Sequence, residues 1–191
     1  LFIRSYPLNR GFFISAGLHN VLKLENFALD EPALDSLSMQ DLFTPDFLKF
    51  LEKIRFTGDV WALPEGQLFF KDEPILEVTA PFIEAQLRRL SSIKINLQSL
   101  IATKAAKCVH AAGKRVVVDF ALRRTHGIDA GMKVARSSYL AGFAGTSNVL
   151  AGKRYEIPIV GTMAHSFVSS FGDEIDAFRR YAEAFQKPQL Y

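Results

Sequence analysis

The chain has 191 residues, 49% apolar and 23% charged, with a formal net charge of +3. That is enough apolar material for one or two packed domains, no apolar run is long enough to cross a bilayer, and so small a positive charge does not argue for a nucleic-acid partner. The single cysteine, Cys108, excludes an internal disulfide and fits a reducing, cytoplasmic setting.

Leu1-Phe2-Ile3-Arg4 has no basic lead into a long apolar core, so it does not read as a signal peptide. Arg10-Gly11 leads into Phe12-Phe13-Ile14 and a helix-like segment through Leu24. Residues 41–55 read as a helix, with Leu42, Phe47, Leu48, Leu51 and Ile54 apolar. The period then changes. Val60 to Leu63, Leu68 to Phe70 and Ile75 to Val78 are short strands, and the turn signals Pro64-Glu65-Gly66 and Lys71-Asp72-Glu73-Pro74 between them predict a β-meander. Thr79 is expected to cap a long helix with Pro81 in its first turn. Ile83, Leu87, Leu90, Leu97, Ile101 and Cys108 recur along it at helical spacing, and Gly113 ends it.

Beyond Gly113 the pattern alternates. Val116 to Phe120 is a β-branched strand, Asp129 to Leu140 a helix, Ile157 to Val160 a short buried strand and Asp173 to Phe185 an amphipathic helix. Strand–helix alternation favours a parallel sheet or barrel. The expected fold is therefore α/β: an N-terminal α/β domain with its linking helix over 1–112, then part of an irregular, TIM-like α/β barrel over 113–191. Two β/α units do not close a barrel. The chain also lacks an initial Met and has no strand after its last helix, so it is expected to be a piece of a longer protein.

The residues with the chemistry to act lie where apolar runs stop. Gly161-Thr162-Met163-Ala164-His165-Ser166 follows the strand at 157–160, and in parallel α/β folds the carboxyl ends of strands carry ligand-binding groups. His165 is the leading candidate, because a neutral imidazole is a nucleophile and proton acceptor near pH 7. His126 is a second candidate, set against a solvated loop or capping role; His19 and His110 lie on helical segments. From Lys114 to Arg136 six cations face two acids. Within that run Arg123-Arg124 follows a strand, and guanidinium forks suit phosphate and carboxylate oxygens; a surface or interface salt bridge is the alternative. Phe120 would stack on a flat ligand or serve as a core aromatic.

Three partial motifs fail. Gly152-Lys153 is followed by Arg154 where a P-loop needs Ser or Thr, and Ser147 stands where that motif's first glycine should be. Val116 to Asp119 lacks the second acid and the Thr/Gly loop of type I phosphoribosyltransferases. No glycine-rich dinucleotide fingerprint and no Cys/His metal-ligand cluster occurs.

Taken together, Arg10-Gly11-Phe12, Phe56-Thr57-Gly58-Asp59-Val60-Trp61-Ala62, Pro64-Glu65-Gly66, Ala102-Thr103-Lys104, Asp119-Phe120-Ala121-Leu122-Arg123-Arg124, Gly145-Thr146-Ser147-Asn148-Val149-Leu150-Ala151-Gly152 and Gly161-Thr162-Met163-Ala164-His165-Ser166 closely resemble the nicotinate phosphoribosyltransferase family from end to end. The resemblance implies synthesis of nicotinate mononucleotide from nicotinate and phosphoribosyl pyrophosphate in NAD biosynthesis. It also implies coupling to ATP through a phosphohistidine, with Mg²⁺ arriving on the substrates. It makes His165 the phosphorylated residue, brings Thr162 to nicotinate, turns Arg123 toward the base and phosphoribosyl pocket, and lines that pocket with Phe120, with Arg124 beside them as a further substrate-binding candidate. Ser147 stands where the related nicotinamide-using enzymes have Asp; a serine avoids setting one carboxylate against another. The family further implies a homodimer when full length, with no nucleic acid and no membrane partner. Its aromatic-bearing N-terminal segment and its later phosphate-binding barrel loops have no match here, so the chain is expected to be an internal fragment. The alternatives are an inactive truncated folding or dimerisation module, and a nicotinamide or quinolinate phosphoribosyltransferase on the same fold.

Overall fold

A computed structural model of the chain describes residues 1–22, 28–88 and 90–185. Two compact units are present, Leu1–Lys104 and Ala105–Tyr191. Among the described residues no helix is long and apolar enough to cross a membrane.

The first unit opens with strand β1 (Phe13–Ile14) and helix α1 (Leu18–Leu22); the expected continuation to Leu24 lies outside the described residues. Helix α2 (Glu31–Ser38) was not expected from the sequence, because its apolar side is only Ala33, Leu34 and Leu37, and none of its side chains is fully buried. Its start is set by Asp30, whose side chain accepts from the Ala33 N–H. Helix α3 (Pro45–Lys53) is shorter than the 41–55 expected. Thr44 caps it, Pro45 opens the first turn, and Asp41 sits at a φ of 54° that stops any earlier start.

The strands β2 (Asp59–Ala62), β3 (Leu68–Phe69) and β4 (Leu76–Thr79) fall where expected, but they do not form a meander. β2 pairs antiparallel with β4, and β3 pairs antiparallel with β1. The reason lies in the connector. Ser15 donates to the Pro64 carbonyl and accepts from the Gln67 N–H, its own N–H donates to the Gln67 carbonyl, and its carbonyl accepts from the Gly66 N–H. The Pro64–Gln67 turn is thereby bound to the end of β1 and cannot fold β3 back onto β2. Phe13 and Phe69 face each other in that register, with ring centroids 5.4 Å apart, and join Val21, Ile75, Leu76 and Ile95 in the core.

Thr79 is the last residue of β4 and pairs with Asp59, so it is not the expected helix cap. The helical stretch that follows is α4 (Phe82–Arg88) and α5 (Leu90–Ala112), ended by Gly113 at a φ of 62°. Its buried face differs from the apolar stripe expected. Ile83, Leu97 and Cys108 are exposed, while Gln98, Ser99, Ala102 and Thr103 are buried. This small, polar face serves the strand end beside it: Thr103 Oγ1 accepts from the Ile14 N–H and Ser99 Oγ from the Ala16 N–H. Buried backbone donors need such partners, and a wholly apolar face would leave them unmet.

The second unit alternates extended segments with helices α6 (Ile128–Leu140), α7 (Val149–Tyr155), α8 (His165–Ser169) and α9 (Glu174–Ala184). The segments around Asp119, Thr146 and Ile159 pair in parallel, in chain order, through single bridges rather than long strands. The middle segment was not read as a strand, because Ala144-Gly145-Thr146-Ser147 has only one β-branched residue, no large apolar one, and is rich in small and turn-forming residues. Gly145 is needed there for close approach: a Cβ would lie 2.6 Å from the Pro158 carbonyl oxygen. The expectation that 157–160 is buried holds for Ile157 but fails for Ile159, which is 54% exposed. Ile159 belongs to the outermost segment, with no neighbour on its far side among the described residues.

Candidate functional site

The register of this small ladder decides which side chains meet. Asp119, Thr146 and Ile159 lie level with one another, so Phe120, Ser147 and Val160 occupy the next level on adjacent segments, whose usual spacing is about 4.8 Å. Beyond that level the chain leaves the ladder in three turns. The first carries Phe120, Arg123 and Arg124, the second Ser147 and Asn148, and the third Gly161 to His165. Phe120, Arg123, Arg124, Ser147, Thr162 and His165 thus all follow the carboxyl side of one parallel ladder.

Each turn is held by specific bonds. Leu122–Arg124 forms a 3-10 turn, with the Arg124 N–H donating to the Ala121 carbonyl and Thr125 Oγ1 donating to the Leu122 carbonyl. Arg123 and Arg124 are exposed and form no ion pair among the described residues. The surface salt bridge that competed with anion binding is therefore not formed there. Phe120 is 42% exposed in this chain and is not part of either packed core cluster. The second turn ends in Asn148, whose Oδ1 caps α7 by accepting from the Ala151 N–H. Ser147 is half-buried beside it.

His165 is the first residue of α8, and its side chain is exposed; Thr162 is exposed in the loop before it. The helix is short and is steadied by aromatic packing against α9. Phe167 lies 5.1 Å from Phe171 and 5.9 Å from Tyr181, centroid to centroid. His126 is exposed at the far end of the first turn, just before α6. No group of three or more His, Cys, Asp or Glu among the described residues is placed to hold a metal ion.

Three residues beneath the turns escaped the sequence reading. Asp119 and Thr146 are buried and bonded to each other, Thr146 Oγ1 donating to Asp119 Oδ2 at 2.8 Å. Asn148 is buried beside them. The available signal was positional: each lies within two residues of a candidate ligand group, and each is a polar side chain at the end of an extended segment.

Residues 1–93 match the nicotinate phosphoribosyltransferase (NAPRTase) N-terminal domain, and residues 116–188 match the nicotinate phosphoribosyltransferase (NAPRTase) family. The chain is 50% identical to nicotinate phosphoribosyltransferase pncB2 of Mycobacterium tuberculosis, over 100% of this chain and 42% of that protein. It is 43% identical to nicotinate phosphoribosyltransferase of Bacillus subtilis, over 96% of this chain and 38% of that protein. Among solved structures, human nicotinic acid phosphoribosyltransferase superposes with a TM-score of 0.80 at 35% identity, covering 89% of this chain and 35% of that one. The chain therefore spans about two fifths of the length of the curated relatives it matches.

Proposed function

The chain belongs to the nicotinate phosphoribosyltransferase family, and from that premise we propose that it supplies the base-binding and phosphohistidine side of an enzyme that makes nicotinate mononucleotide from nicotinate and phosphoribosyl pyrophosphate. The observation that carries this reading is the convergence of three turns at the carboxyl side of the parallel ladder. Phe120 offers a flat apolar face to the pyridine ring. Thr162 and Ser147 offer hydroxyls to the carboxylate without opposing its charge. Arg123 and Arg124 offer guanidinium donors to carboxylate or phosphate oxygens.

In the reaction the pyridine nitrogen donates its lone pair to C1 of the ribose as the bond from C1 to the pyrophosphate oxygen breaks. Positive charge grows on the sugar and negative charge on the leaving group. Catalysis by this chain's residues is then mainly positioning and charge stabilisation. ATP and phosphoribosyl pyrophosphate bring Mg²⁺ with them, as part of the substrates. An imidazole nitrogen of His165 takes the γ-phosphoryl group of ATP as the bond from that phosphorus to the ADP oxygen breaks and ADP leaves. The added negative charge biases the arrangement of the turns until water hydrolyses the phosphohistidine to free phosphate. The chain-order succession of the ladder supports a barrel of β/α units, since a barrel places consecutive strands side by side. A homodimer of the whole enzyme and a cytoplasmic setting complete the proposal; the exposed free thiol of Cys108 supports a reducing compartment.

The test uses a chimaera in which this chain replaces the matching 42% of the Mycobacterium tuberculosis relative. Incubation with γ-labelled ATP should leave acid-labile phosphate on His165. His165→Asn should abolish the label and the stimulation by ATP while sparing some ATP-independent synthesis. His126→Asn should change neither. Acid-labile phosphate persisting in the His165→Asn protein would overturn the assignment.

A further inference from the structure

Asp119 is the only ionisable side chain among the buried described residues, at 4% exposure, and no cation partners it there. Removing a carboxylate from water without a counter-ion is costly, and nothing in the ladder pairing calls for one at this position. Its polar groups account for the cost. The Asp119 N–H donates to the Gly145 carbonyl, and its carbonyl accepts from the Ser147 N–H. Oδ1 accepts from the Ala121 N–H at 2.9 Å, and Oδ2 accepts from Thr146 Oγ1 at 2.8 Å. Thr146 is equally committed. Its N–H donates to the Pro158 carbonyl, its carbonyl accepts from the Val160 N–H, and Oγ1 also accepts from the Asn148 N–H at 3.1 Å.

Backbone pairing sets the level of the three segments but stops where they separate. The side-chain bonds act just past that point. Oδ1 of Asp119 fixes the bend that presents Phe120 and Arg123. Oγ1 of Thr146 fixes the bend that presents Ser147, and the Oγ1–Oδ2 bond ties the two bends together. We propose that Asp119 and Thr146 form a buried positioning clamp that holds the Phe120–Arg123 turn and the Ser147 turn at the spacing nicotinate needs. The inference rests on the proposed nicotinate site. The clamp does not reach the Thr162–His165 loop, which is tied to Thr146 through main-chain pairing alone.

Thr146→Val keeps the shape and removes both side-chain bonds, whereas Thr146→Ser keeps both. In the chimaera, Thr146→Val should lower kcat/KM for nicotinate by about 100-fold, the usual scale for an ångström of misplacement, and should narrow the preference for nicotinate over nicotinamide. Phosphorylation of His165 by ATP should persist at the parent level, and Thr146→Ser should restore turnover and preference. If the valine protein does not fold, Asp119→Asn carries the test; it keeps the volume and one acceptor and should show a smaller change in the same direction. Unchanged kinetics, loss of His165 labelling in step with turnover, or failure of serine to rescue would overturn the clamp. Should the parent chimaera turn over no nicotinate, the site reading itself fails, and amide hydrogen exchange in the 191-residue chain judges the clamp. Faster exchange in Thr146→Val confined to residues 120–124 and 147–149 would support it. No change, or a chain-wide change, would overturn it.

Discussion

At the scale of single residues, the proposed specificity rests on what Ser147 does not carry. A hydroxyl beside the nicotinate carboxylate can donate a hydrogen bond and brings no charge. Replacing it with Asp sets two like charges about 5 Å apart, which repel by about 3 kcal/mol at an effective dielectric of about 20. In the chimaera, Ser147→Asp should therefore lower kcat/KM for nicotinate by roughly 100-fold and leave nicotinamide turnover within about threefold. Competition assays with the two bases measure both; equal losses would show that Ser147 does not face the acid group. Ser147 and His165 could be proposed from the sequence because small, polar residues follow apolar runs there. Asp119 and Thr146 could not, because their importance is a mutual contact across 27 positions of sequence, which no local pattern records.

At the scale of elements, the helix end at Gly113 was readable and the structure contains it. The start at Thr44-Pro45 carries an equally local signal, yet the apolar spacing drew the expected helix back to residue 41. Strand pairing was not readable. The meander was inferred from turn signals between strands, yet Ser15 takes the Pro64–Gln67 connector and β3 goes to β1. The segment at 144–147 was missed for the opposite reason. Its place between two neighbours depends on smallness, and local β propensity does not reward smallness. That dependence is testable. Gly145→Ala would push a Cβ to 2.6 Å from the Pro158 carbonyl oxygen, a main-chain atom that cannot swing aside. The variant should lose about 1–3 kcal/mol of stability, read as a lower urea midpoint with the slope unchanged. A midpoint equal to that of the parent would show that the ladder is not packed as described.

At the scale of the whole molecule, the two units carry different parts of the account. The first is a small α/β body centred on Phe13 and Phe69. The second holds, within itself, every residue proposed to act: Phe120, Arg123, Arg124, Ser147, Thr162 and His165. Alternation of strand and helix made the α/β class legible, because period and length suffice for that. The central claim is that the second unit's three turns form the nicotinate side of a phosphoribosyltransferase site. Its most direct test is the nicotinate mononucleotide and nicotinamide mononucleotide formed by the chimaera from phosphoribosyl pyrophosphate with both bases present together. The account predicts product from nicotinate, raised by ATP and abolished as to that rise by His165→Asn, with nicotinamide used far less. Equal use of the two bases, or no product from nicotinate by a folded chimaera, would contradict it.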